Sequence, residues 1–202
     1  MSIGIRVKVS YPNTPRYGQS NMGQPFQEVL VGAKRGEEWA WSQIYHSVSK
    51  HLVGYLTVKG SPEPEDQASE TLLQVARNIG SFEGDEESFR SWVFVIAHRR
   101  MIDSRRRSGR RLDTAELDSD QPMETGDVEE EALASLGTEE VTRMLDVLTE
   151  DQREVIVLRT LVDLSLEQTA EVMGKRVGSV KALQRRAIVR LRKHLDALGV
   201  SR

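Results

Sequence analysis

The sequence predicts an all-α protein made of two small helical domains joined by a flexible acidic linker. Apolar residues recur at spacings of three and four from residue 26 to about residue 107 and again over 138–198, the period of amphipathic helices. The stretch between them has no aromatic residue and is rich in acids, a composition that cannot bury enough surface to become ordered. Alternating strand patterns and hairpin signals are absent from residue 26 onward. We therefore expect two domains that fold independently of each other.

Breaks in the helical period set the predicted domain bounds. Residues 1–24 contain prolines and glycines and indicate a flexible N-terminal arm. The first domain covers residues 25–108, the acidic linker 109–137 and the second domain 138–198. The first residues lack the apolar core of an export signal, and no apolar run reaches membrane-spanning length. These features and the lack of cysteine favour a cytoplasmic protein.

The composition excludes several kinds of chemistry. Because none of the 202 residues is cysteine, disulfides, thiolate metal sites and cysteine nucleophiles are ruled out. The four histidines are scattered, and none pairs with carboxylates at a metal-site spacing. The sequence contains neither a glycine-rich phosphate loop nor a nucleophile motif. We predict no enzymatic activity, no cofactor and no metal site.

The net charge of −3 conceals an uneven distribution. Residues 98–111 contain seven arginines and one acid, and residues 175–192 contain seven Lys or Arg and no acid. Residues 113–140 carry eleven Asp or Glu and no Lys or Arg. Local field matters more than net charge for binding a polyanion, so the two basic patches favour nucleic acid as a partner. The alternative is that each basic run is only a solvated helix face.

Local signals place the helices of the first domain. Helical periodicity begins near Phe26, and the proline-containing stretch 61–64 interrupts it. Pro64 suits the first turn of the next helix, which we expect to stop at Gly80. A short loop then leads into a helix over 88–107.

Capping signals place the helices of the second domain. Thr138 suits an N-cap, and residues 149–152 and 165–168 each form the pattern of a capping box. Gly174 and Gly178 mark the turn before the final helix. We predict four helices, the last two arranged as a helix-turn-helix.

The final helix carries the strongest functional pattern. In a helix-turn-helix the second helix lies in the major groove, with its N-terminal residues at the base edges. Lys and Arg suit guanine edges or phosphates, and Gln suits adenine edges. The candidate DNA contacts on its polar face are Ser179, Lys181, Gln184, Arg185, Arg186 and Arg190. The alternative is a helical hairpin with a basic surface.

The motifs LSLEQTA at 164–170 and GSVK at 178–181 resemble the fourth conserved region of extracytoplasmic-function sigma factors, which are specificity subunits of bacterial RNA polymerase. Two positions depart from the family pattern. Arg176 stands where a small hydroxyl N-cap is usual, which removes a cap and adds a candidate phosphate contact. Asp163 stands where the family usually has glycine.

The first half resembles the second conserved region of the same family. The resemblance is carried by AxxGExxAWxxIY at 33–45, PED and ETLL within 64–73, SFRSW at 88–92 and IAHRRMID at 96–103. It implies a sigma factor with regions 2 and 4, which binds the clamp and flap of core polymerase, reads the −10 and −35 promoter elements and helps to open the promoter. It also implies an anti-sigma partner.

The resemblance assigns roles within region 2. Polymerase binding falls on Asp66, Glu70 and Leu73, and the loop over 81–88 would hold a base extracted from the duplex. Trp92 could stack on that base or belong to the core, and its phase with the apolar stripe favours the core. The residues assigned to −10 recognition and melting are Phe82, Phe89, Arg90, Trp92, Arg99, Arg100, Arg105 and Arg106.

A second class of function stays open at this point. A helix-turn-helix regulator could bind duplex operators without being a polymerase subunit. The helical first domain argues against it, because an alternating strand–helix sensor domain would be expected instead.

Overall fold

The computed structural model describes residues 25–112 and 143–197, with side chains described for 25–105 and 143–197. The helices are α1 (Phe26–Lys34), α2 (Glu38–Val58), α3 (Pro64–Asn78), α4 (Glu86–Leu112), α5 (Glu150–Thr160), α6 (Leu166–Met173) and α7 (Val177–Ala197). No strand occurs within these two ranges, which confirms the all-α prediction. The arm predicted for 1–24, most of the linker and the N-cap predicted at Thr138 lie outside the described residues.

Helix starts in the first domain follow the local sequence. Pro64 occupies the first turn of α3 with acids beside it, and a 3-10 turn over Ile79–Ser81 follows the helix. The backbone N–H of Ser88 bonds the Asp85 carboxylate at 2.8 Å, which caps the start of α4. The last helix of this domain runs to Leu112, beyond its predicted end at residue 107, because its arginines are good helix formers.

Four helices enclose the core of the first domain. α2 packs against α1, α3 and α4, and α3 packs against α4. Phe94 meets the ring of Tyr55 edge-on, with centroids 5.4 Å apart. The other large side chains buried in this domain include Ile44, Leu52, Leu56, Val75, Phe89 and Val93.

The helix-turn-helix of the second domain is built as predicted. Both capping boxes are present, at Thr149 with Gln152 and at Ser165 with Gln168. Gly174 ends α6 in the left-handed conformation, with φ 61°, and turns the chain into α7. These signals act within a few residues, which explains why the sequence alone revealed them.

The two domains pack against each other, contrary to the expectation that they are independent. α5 lies against α2, and α6 lies along α4. Gly54 of α2 makes one close approach possible, since a Cβ atom there would lie only 3.1 Å from a methyl carbon of Leu161. Polar contacts between the domains join side chains that are far apart in the sequence. The spacing of apolar residues carries no information about such contacts.

Asp163 is the one non-glycine residue with a positive φ, 57°, among the described residues. It lies between α5 and α6, at the position where the family usually has glycine. Asp163→Gly should therefore raise the free energy of unfolding by about 1 kcal/mol, because it removes left-handed strain at some cost in unfolded-state entropy. Asp163→Ala is the control and should lower it. Urea unfolding followed by circular dichroism would test both, and a less stable glycine variant would contradict the strain argument.

Candidate nucleic-acid interface

The final helix, α7, presents one face to the core and the other to solvent. Val180 and Ala187 are buried, and Leu183 and Leu191 pack beside them. The opposite face carries the predicted DNA contacts: Arg176, Ser179, Lys181, Arg185, Arg186 and Arg190 are exposed, and Gln184 is half-buried. The helix therefore exposes its basic face over several turns.

The start of α7 lies at Val177, one residue after Arg176. The carbonyl oxygen of Arg176 accepts from the backbone N–H groups of Ser179 and Val180, at 2.9 and 3.1 Å. Arg176 thus occupies the N-cap position but has no hydroxyl to cap it. Lys175, just before it, pairs with Asp151 at 3.0 Å.

Three basic side chains on the exposed face of α7 are available to bind an anion. Within the described residues, no carboxylate lies within ion-pair distance of Lys181, Arg185 or Arg190. Unpaired cations on one helix face can neutralise phosphates and release counterions without first losing a partner. This face can therefore bind a polyanion as it stands.

The segment predicted as a loop at 81–88 is a loop only at 82–85, because the 3-10 turn ends at Ser81 and α4 begins at Glu86, two residues before its predicted start. Aromatic rings of α4 pack against this loop, and side chains of α1 bond its backbone. The Phe82 ring lies 5.0 Å from Trp92 and 5.3 Å from Phe89, centroid to centroid. Lys34 donates to the Phe82 carbonyl at 2.7 Å, and Gln27 donates to the Gly84 carbonyl at 3.0 Å. These contacts fix the loop's backbone.

The aromatic residues assigned to −10 recognition differ in their access to solvent. Phe89 is only 1% exposed and Phe82 is 8% exposed, so both act as support beneath the loop. Trp92 is half-buried against them, with part of its surface open. Of the three, Trp92 alone combines core contacts with an accessible surface.

Three of the arginines of α4 whose side chains are described are paired with carboxylates. Arg90 pairs with Glu86 at 3.2 Å. Arg100 is bonded to the Glu70 carboxylate. Arg105 is bonded to the carboxylate of Glu150. Arg99 is exposed, and the side chain of Arg106 lies outside the described residues. A phosphate that binds at one of the three paired arginines has to compete with the carboxylate already there.

The surface of α2 and α3 presents the residues assigned to polymerase binding. Asp66 and Glu70 are exposed on α3, and Leu73 is 56% exposed on the same side. Tyr45, in the neighbouring helix α2, is 54% exposed and lines an apolar groove with Leu72. Tyr45 is not among the residues that the family resemblance assigns to polymerase binding. It directly follows Ile44, whose side chain is buried, so its own side chain points to another side of α2.

The largest feature that the sequence did not reveal is a polar cluster between the domains. We call it the interdomain cluster, and its members are Tyr55, Lys59, His98 and Arg105 of the first domain and Glu150 and Glu154 of the second. Lys59 and Glu154 have side chains only 3% exposed. The side chain of His98 is 12% exposed and lies inside this cluster.

Glu154 receives three hydrogen bonds from the other domain. The Tyr55 hydroxyl donates at 2.7 Å and the His98 Nδ1 at 2.7 Å, both to Oε1. The Lys59 ammonium donates to Oε2 at 2.8 Å. A buried carboxylate needs this degree of pairing, because burial without donors would be strongly unfavourable.

Glu150 forms the outer edge of the cluster. Its carboxylate accepts from Lys59 at 3.1 Å and also bonds Arg105, which in turn donates to the Lys59 carbonyl. The family resemblance assigns Arg105 to −10 recognition and melting. In this arrangement its guanidinium is held by an acid of the second domain.

The cluster shifts the pKa of its acidic members. Burial alone would raise the pKa of Glu154, but the His98 hydrogen bond and the Lys59 ammonium outweigh it and lower the pKa to about 2. Hydrogen bonds from Arg105 and Lys59 lower the pKa of Glu150. Burial and the Glu154 charge raise the pKa of Tyr55 well above its ordinary value, so its hydroxyl keeps its proton and donates.

Within residues 25–112 and 143–197, no group of three or more acidic or histidine side chains could hold a metal ion. None of the helices there is both long and apolar enough to cross a membrane.

Both domains match known sequence families in order along the chain. Residues 42–111 match the family described as Sigma-70 region 2, and residues 144–193 match Sigma-70, region 4. The first match covers most of α2, all of α3 and nearly all of α4, and the second covers the helix-turn-helix of the second domain.

Several curated proteins are similar over most of this chain. The ECF RNA polymerase sigma factor BldN of Streptomyces coelicolor is 32% identical over 80% of this chain and 62% of its own length, so the chain spans less than two thirds of that relative. ShbA of Streptomyces griseus, named as an ECF RNA polymerase sigma factor, is 33% identical over 63% of this chain and 69% of its own length. SigX of Bacillus subtilis, named likewise, is 30% identical over 76% and 81%.

Two solved structures share the fold. CnrH, in complex with the cytosolic domain of CnrY, aligns with a TM-score of 0.62 and 24% identity over 86% of this chain and 99% of its own. The sigma factor RpoE of Bartonella quintana, in complex with the anti-sigma factor NepR, aligns with a TM-score of 0.58 and 25% identity over 80% and 98%.

The low pKa of Glu154 predicts how stability depends on pH. The folded-state pKa of about 2 lies below the ordinary 4.5, so this carboxylate stabilises the fold above pH 4.5, and the contribution is lost as the pH falls towards 2. Glu154→Gln keeps the shape and removes the charge, and should cost about 1–3 kcal/mol at neutral pH. Urea unfolding of both proteins between pH 2 and 7 should show the difference shrinking below pH 4.5. A difference independent of pH would show that the charge of Glu154 is unimportant.

Proposed function

Because this chain belongs to the extracytoplasmic-function family of RNA polymerase sigma factors, we propose that it binds core RNA polymerase and directs it to promoters by reading two DNA elements. It is an alternative sigma factor, and we assign it no catalytic activity of its own. Its place of action is then the cytoplasm, where polymerase and promoter DNA meet. We expect an anti-sigma factor as a further partner, because RpoE of Bartonella quintana, which shares the fold, binds the anti-sigma factor NepR.

The observation that carries this proposal is the unpaired basic face of α7. It follows the tight turn at Gly174, which is the arrangement of a recognition helix. Its early residues, Lys181 and Arg185, are four apart and project together, so they are placed for base edges of the −35 element. Arg190 lies one to two turns later and is placed for phosphate.

Recognition and opening of the −10 element fall to the first domain. The anchored loop at 81–88 would receive an extracted base, with Trp92 beside it and Phe82 and Phe89 as support. Arg99 and Arg100 would bind the backbone of the strand. The cost of unstacking a base, a few kcal/mol, would be offset by these contacts.

Polymerase would bind the surface formed by α2 and α3. Asp66, Glu70 and Leu73 supply charges and an apolar contact, and the exposed Tyr45 extends that surface. An apolar patch edged by charged residues is typical of a protein–protein contact.

Transcription with purified components tests the proposal directly. The chain mixed with core polymerase should give transcripts that depend on a promoter, and neither component alone should do so. A duplex-binding regulator that needs no polymerase, the alternative from the sequence, would instead bind operator DNA alone and give no transcript. The comparisons do not favour that alternative, because both halves match the two sigma regions in order.

Base-specific contacts and phosphate contacts should come from different positions along α7. Arg185→Ala should cost about 1–3 kcal/mol and relax the preference at one or two −35 positions. Arg190→Ala should weaken binding to all sequences alike and flatten the salt dependence. Each variant would be scored on a library of every single-base change in the −35 element, at two salt concentrations. If Arg190→Ala changed the preferred bases and Arg185→Ala did not, this placement of α7 in the groove would be wrong.

Charge reversal on α3 should weaken association with core polymerase. In Asp66→Lys/Glu70→Lys, two exposed acids become cations on the proposed surface, and Glu70 also loses its bond to Arg100. We expect at least a tenfold rise in Kd, about 1.4 kcal/mol, with the circular dichroism spectrum unchanged. Glu63→Lys/Glu65→Lys is the matched control, because it alters the net charge equally at two other exposed acids. An equal rise in Kd for the two double variants would mean that only the net charge of the chain affects its binding to core polymerase.

A further inference from the structure

The outward face of α7 has an apolar centre line. Val180 and Ala187 are fully buried and mark the side of the helix that packs on the rest of region 4, residues 143–197. Successive residues of an α-helix turn by about 100°, so the residue two places after each of them lies almost opposite the core. These residues are Ala182, which is exposed, and Val189, which is 50% exposed. Two apolar side chains therefore occupy the middle of the face that points away from the protein.

Polar side chains lie on both sides of Ala182. Lys181 and Arg185 follow one edge of the centre line. Ser179 and Arg186 follow the other edge, and together with Ala182 they line a surface cleft at the start of the helix. The Nε of Arg186 donates to the carbonyl oxygen of Ala182 at 3.2 Å, so this guanidinium is held against the helix backbone. The methyl group of Ala182 therefore faces outward between charged neighbours.

This methyl group requires a different complement from the cations around it. Lys and Arg gain by contact with phosphate oxygens or guanine, but an exposed methyl group gains only by contact with another apolar group. In the major groove the C5-methyl group of thymine is such a group, and alanine is one of the side chains that contact it. The other three bases present hydrogen-bond donors or acceptors there. The chemistry of this position therefore matches thymine.

The two apolar residues of the centre line differ in their position along α7. Ala182 is the sixth residue of the helix and lies within its first two turns, the part that meets base edges in a helix-turn-helix. Val189 lies two turns later, about 10 Å further along the axis. Ala182 is thus placed at base edges, and Val189 is placed beyond them.

We propose that Ala182 is a specificity-determining residue, and that its methyl group contacts the C5-methyl group of a thymine in the −35 element. This inference rests on the proposed function, since it requires α7 to lie in the major groove. Ala182 and Arg185 are three residues apart and are neighbours on the helix surface, so the thymine lies next to the guanine that Arg185 is placed to read. The preferred −35 element should therefore contain a guanine and a thymine in neighbouring base pairs.

Removal of single methyl groups from promoter DNA tests the contact. Uracil has the hydrogen-bonding groups of thymine and lacks only its C5-methyl group, so each thymine of the preferred −35 element would be replaced in turn by uracil. The Kd of the full chain with core polymerase would be measured on each promoter. One of these replacements should weaken binding about threefold to fivefold, the effect expected for the loss of one buried methyl group.

Variants of the chain test whether Ala182 is the partner of that methyl group. In Ala182→Gly the weakening caused by uracil should disappear, and it should shrink in Ala182→Ser, whose hydroxyl can instead bond polar base edges. The weakening is a ratio of two Kd values for one variant, so any effect of glycine on helix stability cancels. Val189→Ala is the matched control and should retain the full weakening, because Val189 lies beyond the base edges.

The outcomes separate this inference from the proposed function. Equal weakening by uracil in the natural chain and in Ala182→Gly would overturn the contact given to Ala182, as would the absence of weakening at every thymine. Weakening that disappears in Val189→Ala instead would place the thymine two turns later and would also overturn it. If the natural chain with core polymerase binds no promoter at all, the proposed function itself fails, a result that a comparison of uracil with thymine cannot produce.

Discussion

The carboxylate of Glu154 is the group on which the arrangement of the two regions depends. It lies in region 4, yet its three donors belong to α2 and α4 of region 2. If region 4 moved away, water would have to replace the Tyr55 hydroxyl, the His98 ring and the Lys59 ammonium together, because a charge without donors is not tolerated in a protein interior. The contact is therefore cooperative: it is either made with all of its donors or replaced by solvent.

The two helices proposed to bind DNA differ in how their basic side chains are paired. Along α7 the cations Lys181, Arg185 and Arg190 have no acid partner within the described residues, whereas along α4 Arg90, Arg100 and Arg105 are each held by a carboxylate. Phosphate can bind these cations of α7 directly, but at the three arginines of α4 it has to displace a carboxylate of the same chain. If the chain binds DNA as proposed, this difference favours first contact through α7.

Much of the fold was predictable because its signals are local. Capping boxes at Thr149 and Ser165, a proline at the start of α3 and a left-handed Gly174 act over three or four residues, a distance that sequence patterns report well. The basic face of α7 was visible for the same reason. The packing of one region on the other was not, because Tyr55 and Glu154 are 99 residues apart and look like an ordinary core aromatic and an ordinary helix-surface acid. The place of His98 in the interdomain cluster was not predictable for that reason, and the exposure of Tyr45 depends on which side of α2 its neighbours cover.

The buried carboxylate also limits how this chain can be recombined. A chimaera that joined region 2 of one family member to region 4 of another would treat each region as a separate module. If its region 4 came from this chain it would inherit Glu154, and its new region 2 would have to offer groups equivalent to Tyr55, Lys59 and His98. Without such groups the buried carboxylate would have no donors, and the contact between the regions would be lost. Compatible parents for such hybrids can therefore be chosen by inspecting three positions of region 2.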